Sequence, residues 1–332
     1  MKHVLIICIL LSYLLQSCSV GTSGTWKNEN IDNYLKRDIE SLDTKVLEAI
    51  TKNKPTILKE LLSEKLKEKK DIDVDTLIQQ ASTFITNSDF EILDQYYVKN
   101  TNTGIGNTVM SGISGQNDYI IHYQALNEEM FISLLLLENG VLITNIYGKY
   151  NDGWKLNIFQ IGQYSINGLI APELYEKSIN EYEKGYLVDA TISIFLAKLV
   201  AHPAGEFWKY QINDEMKDFN DKIFKEIPNK YQLPFEITNI DSKPIIINVY
   251  PINSHEGYFP MIEYVTELDL NDTNLTRFEN DKIHKSIGEI FEGIDKNNKY
   301  LYYRAYSEMP DGKTLIPYYG FVNEIKPVAN IK

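Results

Sequence analysis

The hydrophobic period of the chain changes after about residue 115, and this change constrains the fold more than any other feature. Segments rich in β-branched and aromatic residues follow at Tyr119–Leu126, Met130–Leu137, Val141–Tyr147 and Trp154–Ile161. Asn139-Gly140 separates the second segment from the third, and Asn151-Asp152-Gly153 separates the third from the fourth. Because Asn-Gly and Asp-Gly tolerate the positive φ angles of tight hairpins, the sequence predicts a four-stranded antiparallel meander.

Helical spacing precedes the meander, from roughly Leu35 to Tyr97. Apolar residues recur there at helical intervals, and Asp75 is placed to cap a third helix that carries Leu77, Ile78, Ala81 and Ile85. Over residues 40–165, helices followed by a meander that ends in Asp-Gly-Trp-Lys-Leu resemble the nuclear-transport-factor-like and cystatin-like cone folds. That resemblance implies a fold rather than a function.

Residues Ala171–Pro203 have the spacing of a helical hairpin, with Gly185 at the turn. Small residues such as Ala190 and Ala197 let two antiparallel helices approach closely, and in this the segment resembles one tetratricopeptide repeat. Lys177 stands where the repeat prefers Leu, and no second copy follows at a period of about 34 residues. We therefore expect a helical connector packed on its neighbours, with a further helix over Phe207–Phe224.

The last segment predicts two strands, a helix capped by Asp272 and two more strands, at Pro244–Tyr250, Met261–Leu268, Leu301–Tyr306 and Leu315–Phe321. The expected fold class is α+β: helices packed on an antiparallel meander, a helical hairpin connector and a small C-terminal ββαββ domain. The predicted boundaries are residues 35–168 for the cone-like domain, 169–230 for the connector and 231–325 for the C-terminal domain. Tyrosines cluster in that domain; they are good strand formers, and rows of them can also stack on sugars or peptides.

The N-terminus has the pattern of an export signal. Met1-Lys2-His3 is a short basic start, and the apolar run from Val4 to Leu15 is too short to cross a membrane. Leu15-Gln16-Ser17-Cys18 resembles the lipobox of bacterial lipoproteins, although Gln16 departs from the commonest pattern. The resemblance implies cleavage after residue 17, acylation of the Cys18 thiol by palmitate-like chains, and a flexible spacer over residues 18–34. The alternative is an ordinary secretory peptide that happens to contain a cysteine.

Cysteine usage and charge exclude several functions. Cys8 and Cys18 are the only cysteines, so a mature chain acylated at Cys18 has no thiol for catalysis, disulfides or thiolate metal sites. Removing residues 1–17 takes away one Lys and leaves 32 basic against 46 acidic residues, a formal charge of −14. A body this acidic has no general attraction for nucleic acids or anionic lipids. Its predicted contact with the membrane is the N-terminal lipid alone.

No catalytic motif, cofactor fingerprint or metal-binding set is recognised in the sequence, so no catalytic residue, cofactor or metal is predicted. The candidate ligand-binding residues are His122 and Tyr123 at the mouth of the cone-like domain, and His255 in a polar loop beside Glu256. Three classes of function stay open. The first is a non-catalytic envelope lipoprotein that binds a protein, peptide or glycan, the second is a small-ligand binder that uses the cone-like domain, and the third is an unrecognised enzyme.

The residues after Cys18 bear on sorting. Ser19 follows the cysteine, and the next acidic residue is Glu29. In the sorting rules of other bacterial lipoproteins, an Asp directly after the cysteine retains the protein at the inner membrane, and acidic residues soon after it can direct surface display. This chain has neither feature, so resemblance to those rules implies the outer membrane, facing the periplasm.

The first prediction follows from the lipobox. We expect Cys18→Ala to abolish incorporation of a labelled fatty acid and to leave the chain uncleaved or soluble, because no other thiol stands at a cleavage position. The measurement is labelling in cells with a fatty-acid analogue. Label retained on the Cys18→Ala protein would contradict the anchor.

Overall fold

The computed structural model describes residues 23–68 and 73–325. Within them helices and antiparallel-rich sheets are both abundant, so the fold class is α+β, as the sequence predicted. The predicted signal sequence, Cys18 and Ser19 lie outside the described residues.

The chain divides into two compact units. The first comprises the described residues up to Val109 together with His122–Leu136 and Ile143–Gln160. The second comprises Met110–Ile121, Leu137–Leu142 and the residues from Ile161 onward.

The first unit begins with a short strand followed by helices. Its elements as far as residue 99 are β1 (Gly24–Lys27), α1 (Asn33–Thr51), α2 (Pro55–Leu61), α3 (Glu64–Lys67), α4 (Val74–Ala81) and β2 (Glu91–Lys99). Asp32 caps α1 by accepting a hydrogen bond from the backbone N–H of Tyr34 at 2.7 Å. The cap of α4 is Asp73, which accepts from two backbone N–H groups, rather than the predicted Asp75.

The predicted hairpins are confirmed. The next strands are β3 (Gly106–Met110), β4 (Tyr119–Gln124), β5 (Glu129–Leu136), β6 (Val141–Tyr150) and β7 (Gly153–Gln163). Gly140 and Gly153 have φ angles of 75° and 116°, the conformations that favour glycine in the two turns. A five-stranded sheet has the order β1-β2-β5-β6-β7.

The neighbour of β5 in this sheet differs from the prediction. The sequence placed β4 beside β5, whereas the structure places β2 there, with Tyr96 opposite Ile132. The helical prediction for this part of the chain is wrong, because Ile92 and Tyr96 are four residues apart and fit a helix as well as a strand. A short apolar run cannot separate the two periods, and pairing with β5 decides the outcome.

The predicted spacer also differs in its second half. Gly24–Lys27 forms β1, which pairs antiparallel with β2 and places Trp26 opposite Tyr97. Asn28 donates to the Asp94 carboxylate at 2.7 Å and accepts from the backbone N–H of Gln95 at 2.7 Å. Ile31 is buried at 3% exposure. These contacts tie the segment to the first unit.

The second unit contains a helical hairpin. Its elements as far as residue 230 are β8 (Ser165–Ile166), β9 (Leu169–Ile170), α5 (Ala171–Glu183), α6 (Leu187–Leu199), β10 (Trp208–Tyr210) and α7 (Asn213–Lys230). The predicted hairpin is confirmed in α5 and α6, and the Ser178 hydroxyl donates across it to the Ala190 carbonyl at 2.6 Å. The helix expected from Phe207 begins at Asn213, because Trp208 lies in β10 and pairs with Ile121 of β4. A three-stranded sheet has the order β10-β4-β3.

The predicted C-terminal domain has the expected ββαββ order, preceded by one additional strand of two residues. Its elements are β11 (Phe235–Glu236), β12 (Ile245–Ser254), β13 (Gly257–Val265), α8 (Thr273–Ile290), β14 (Tyr300–Tyr306) and β15 (Tyr318–Glu324). The strands form a sheet in the order β11-β12-β13-β14-β15, in which β13 and β14 are parallel and the other pairs are antiparallel. As predicted, Asp272 caps α8, accepting from the backbone N–H of Leu275.

The second prediction concerns residues 23–34, which the sequence alone assigned no role in the fold. We expect a chain that begins at Leu35 to lose roughly 2 kcal/mol or more of stability relative to one that begins at Ser23. It lacks the buried Ile31 side chain, and β2 becomes an exposed edge. Urea unfolding of the two chains measures the difference. Equal midpoints would show that β1 adds nothing.

Candidate functional site

The C-terminal sheet has two faces, and α8 covers one of them. Ile283 and Ile287 of α8 are fully buried. The Nδ1 of His284 lies 2.9 Å from the Tyr303 hydroxyl, and Thr266 donates to the Glu279 carboxylate at 2.9 Å. Tyr264, Tyr303 and Phe321 therefore form the core of the domain.

Alternate residues of the strands point to the opposite face, because side chains in a strand alternate between the two sides. We call this surface the tyrosine face; it is formed by Tyr250, Phe259, Glu263, Tyr300, Tyr302, Arg304, Tyr306, Tyr318 and Val322. Tyr318 is 54% exposed and Val322 is 52% exposed. The sequence left open whether the tyrosines serve only as strand formers or also stack on a ligand. Tyr318 is exposed on this face and is therefore available for stacking.

Arg304 lies at the centre of the tyrosine face in a network of fixed contacts. Its Nη1 donates to the Glu263 carboxylate at 2.9 Å and to the hydroxyls of Tyr250 and Tyr306 at 3.4 Å each. Its Cζ lies 4.4 Å from the centre of the Tyr318 ring. We call these five residues the Arg304 cluster.

Glu263 is the common acceptor of the Arg304 cluster. Its Oε1 also accepts from the hydroxyls of Tyr250 at 2.9 Å and Tyr306 at 3.1 Å. Burial and the hydrogen bond to Glu263 raise the pKa of Tyr250 to about 12, so its hydroxyl stays protonated and donates. The guanidinium is held in position through Nη1. Its Nη2 and Nε make no hydrogen bond to the described residues, and the side chain is 24% exposed, so these nitrogens keep donors that the cluster does not use.

An apolar groove adjoins the tyrosine face at Tyr250. It has a volume of about 330 Å³ and is lined by Val188, Thr191, Ile192, Phe195, Phe224, Ile227, Tyr231, Leu233, Val249, Tyr250, Pro251 and Phe291. Phe195, Phe224 and Leu233 are each more than a third exposed. The volume is at the lower end of the range of about 300–1,000 Å³ that is typical of ligand pockets, and the lining is similarly apolar.

A buried carboxylate lies in the first unit. Asp43 of α1 is fully buried and accepts from the Ser133 hydroxyl at 2.6 Å, the Asn145 amide at 2.7 Å and the Tyr147 hydroxyl at 2.7 Å. Burial raises its pKa from the ordinary 3.8 to about 6, against the opposing effect of these three donors. The network joins α1 to β5 and β6 and has no described route to solvent, so we interpret it as structural.

A pair of buried acids, Glu181 and Asp189, lies in the second unit. Burial raises the pKa of Asp189 to about 6, and Asn298 donates to its carboxylate at 2.8 Å. Glu181 accepts from the Ser193 hydroxyl at 2.6 Å and pairs with Lys177 at 3.3 Å. These contacts connect α5 and α6 with each other and with the loop before β14. Among residues 23–68 and 73–325, no group of three or more His, Cys, Asp or Glu is placed to hold a metal ion.

The residues predicted from sequence lie in different settings. His122 is exposed, whereas Tyr123 is only 4% exposed, since neighbours in β4 point to opposite sides. His255 is exposed in the turn between β12 and β13. Its neighbour Glu256 pairs with Lys299 and accepts from the Tyr300 hydroxyl at 3.2 Å. Ligand binding by these residues stays a prediction.

Asp43, Glu263 and Arg304 are not among the residues predicted from the sequence. Asp43 occupies the apolar stripe of α1, four residues after Ile39 and four before Leu47, and an acid at a core position is a usable signal. Glu263 and Arg304 similarly interrupt apolar strands. Nothing in the sequence shows that they pair, because their contact depends on the parallel register of β13 and β14.

Comparison with protein-family models, with curated proteins and with solved structures finds no match for this chain. None of the helices in residues 23–68 and 73–325 is long and apolar enough to cross a membrane.

The third prediction concerns Asp43. Because its pKa is raised in the folded protein, the folded state binds the proton more tightly than the unfolded state does. The stability due to this group therefore falls as the pH rises from about 4 to about 6. A pKa rise from 3.8 to about 6 corresponds to roughly 3 kcal/mol. Asn at this position keeps two accepted bonds and can donate to Ser133.

We therefore expect Asp43→Asn to gain stability over the unsubstituted protein as the pH rises through this range, by a quantity on the order of 3 kcal/mol. Urea unfolding at several pH values measures it. Asp73→Asn is the matched control: hydrogen bonds from Thr76 lower the pKa of Asp73, so its pH trend has the opposite sign. A constant difference between Asp43→Asn and the unsubstituted protein would contradict the account.

Proposed function

We propose that this protein is a non-catalytic binding protein of the bacterial cell envelope, anchored by lipid at Cys18 to the periplasmic side of the outer membrane. The anchor is supported by the basic start, the short apolar run and Leu15-Gln16-Ser17-Cys18. The binding role is supported by the tyrosine face. Its partner is a protein, peptide or glycan that contacts this face.

The observation that carries the binding role is the Arg304 cluster. An arginine that is held by one nitrogen, stacked on an exposed tyrosine and free at its other nitrogens is already in the geometry that recognition requires. Tyrosine and arginine are the residues that contribute most to binding at protein interfaces.

The apolar groove supports a second candidate, a small apolar ligand. This moves the small-ligand hypothesis from the cone-like domain, where His122 and Tyr123 were placed, to the groove formed by α6, α7 and β12. The two candidates differ in the surface that the partner touches.

The fourth prediction uses that difference. We expect a photo-reactive amino acid at Val322 of the tyrosine face to form covalent adducts in intact cells, because the partner covers this residue. The matched control is Leu275 at the start of α8, which has the same exposure of 52%. A third probe at Phe195 reports on the groove. Adducts are separated by gel and identified by mass spectrometry.

Adducts at Val322 that are absent at Leu275 would support the proposed function. Adducts at Phe195 alone would favour the small-ligand candidate. Equal labelling at all three positions, or none at Val322, would contradict a binding role for the tyrosine face.

A further inference from the structure

We propose that β15 is a docking strand to which an extended acidic peptide segment of a partner protein adds as a sixth strand of the C-terminal sheet. The inference rests on the proposed function, because the added segment would lie beside the tyrosine face, and it names the partner class and the way it binds. Four observations on β15 and its neighbours carry it.

The first observation is the direction of the backbone groups of β15. The backbone N–H of Ile325 donates to the Lys299 carbonyl at 2.9 Å, so the odd-numbered residues of this strand bond to β14. In an antiparallel pair, alternate residues turn their N–H and C=O groups away from the partner strand. Tyr318, Gly320, Val322 and Glu324 therefore present their backbone groups at the outer edge of the sheet.

The second observation is that β15 lacks the usual protection of an edge strand. Proteins block edges with proline, lysine or a bulge. β15 contains no proline and no lysine. It also has no bulge, because its register with β14 is unbroken over all seven pairs. By contrast, β12 carries Pro251 in the stretch beyond its pairing with β11. Within residues 23–68 and 73–325, one edge of the sheet therefore carries a proline, and no strand pairs with the outer side of β15.

The third observation is the placement of arginine. The chain has 33 basic residues, and only Arg37, Arg277 and Arg304 among them are arginine. Arg304 stacks on Tyr318 at 4.4 Å on the tyrosine face, and Arg277 of α8 lies 5.2 Å from the Phe321 ring on the other face. Two of the three arginines therefore flank β15, one on each face. Arginine pairs with carboxylates through two parallel hydrogen bonds, which lysine cannot do.

The fourth observation is a gap in front of Arg304. Gly320 lies directly opposite Arg304 in the register of β14 and β15. A Cβ added at Gly320 would meet only the edge of the Tyr318 ring, at 4.0 Å. A side chain on the added strand can therefore reach Arg304 across the glycine.

These four observations define the ligand. Neighbouring residues of an extended peptide point to opposite faces, so two adjacent acidic residues would meet Arg304 and Arg277 at once. The carboxylate on Glu263 occupies Nη1 of Arg304 and leaves the other nitrogens for the peptide. Glu324 repels acids at the far end of β15, which centres the acidic pair near Gly320. Backbone hydrogen bonds provide affinity and the two arginines provide specificity.

Fluorescence anisotropy with the lipid-anchored protein in detergent tests the proposal. The probe is a fluorescein-labelled peptide of alternating valine and threonine, as long as β15, with two adjacent glutamates at its centre. One control peptide carries lysines in place of the glutamates. The other is N-methylated at alternate backbone amides and cannot complete a β-ladder.

Three variants complete the design. Gly320→Pro removes an outward N–H and leaves the bonds from β15 to β14 intact, so we expect about a tenfold or greater loss of affinity with an unchanged melting temperature. Arg277→Glu should weaken binding about fivefold, more at low salt than at high salt. Lys285→Glu makes the same charge change about 12 Å further along α8 and should leave affinity unchanged.

Tight binding of the glutamate peptide alone, with loss in Gly320→Pro and Arg277→Glu, would establish strand addition. Equal binding of the N-methylated or the lysine peptide would overturn it, as would no binding of the glutamate peptide. If any of these three results overturns strand addition but Val322 still forms adducts in cells, the tyrosine face binds a partner in another way and the proposed function stands. A concentration-dependent dimer that Gly320→Pro converts to monomer would assign the edge to a second copy of this chain and overturn the acidic peptide.

Discussion

The C-terminal sheet has five strands, and α8 covers only one of its two faces. The domain therefore depends on the polar contacts that stabilise the second face. α8 buries Tyr264, Tyr303 and Phe321 on one side. On the other side the chain places a charged pair, Glu263 and Arg304, among tyrosine hydroxyls. The hydroxyls of Tyr250 and Tyr306 satisfy the buried carboxylate, while the ring of Tyr318 stays exposed for contact.

The first unit also contains a carboxylate within a network of hydrogen bonds, but there the network is fully buried. Asp43 places a fully buried carboxylate inside the core, and three donors from β5 and β6 surround it. A buried acid with a raised pKa weakens the folded state at neutral pH. We therefore interpret its hydrogen bonds as fixing the position of α1 on the sheet rather than as adding stability. The Arg304 cluster differs because Arg304 retains contact with solvent and unused donors.

The sequence predicted the parts of the fold that local chemistry decides. Gly140 and Gly153 marked both hairpins, and Asp272 marked the start of α8, because turns and caps depend on a few neighbouring residues. The sequence did not predict the elements whose structure depends on pairing between distant parts of the chain. Ile92 and Tyr96 fit either period, and only β5 selects the strand. The Arg304 cluster could not be assembled from sequence for the same reason: Glu263 and Arg304 are 41 residues apart and meet through a parallel register.

Amide hydrogen exchange along β15, followed by NMR, tests the central claim most directly, namely that the outer edge of this strand is open. The account predicts alternation: the amides of Tyr319, Phe321 and Asn323 bond to β14 and exchange slowly, whereas those of Gly320 and Val322 point outward and exchange fast. Adding a bound partner should slow the second set alone. Slow exchange at Gly320 and Val322 in the free protein would mean that the edge is already covered, and would contradict the account.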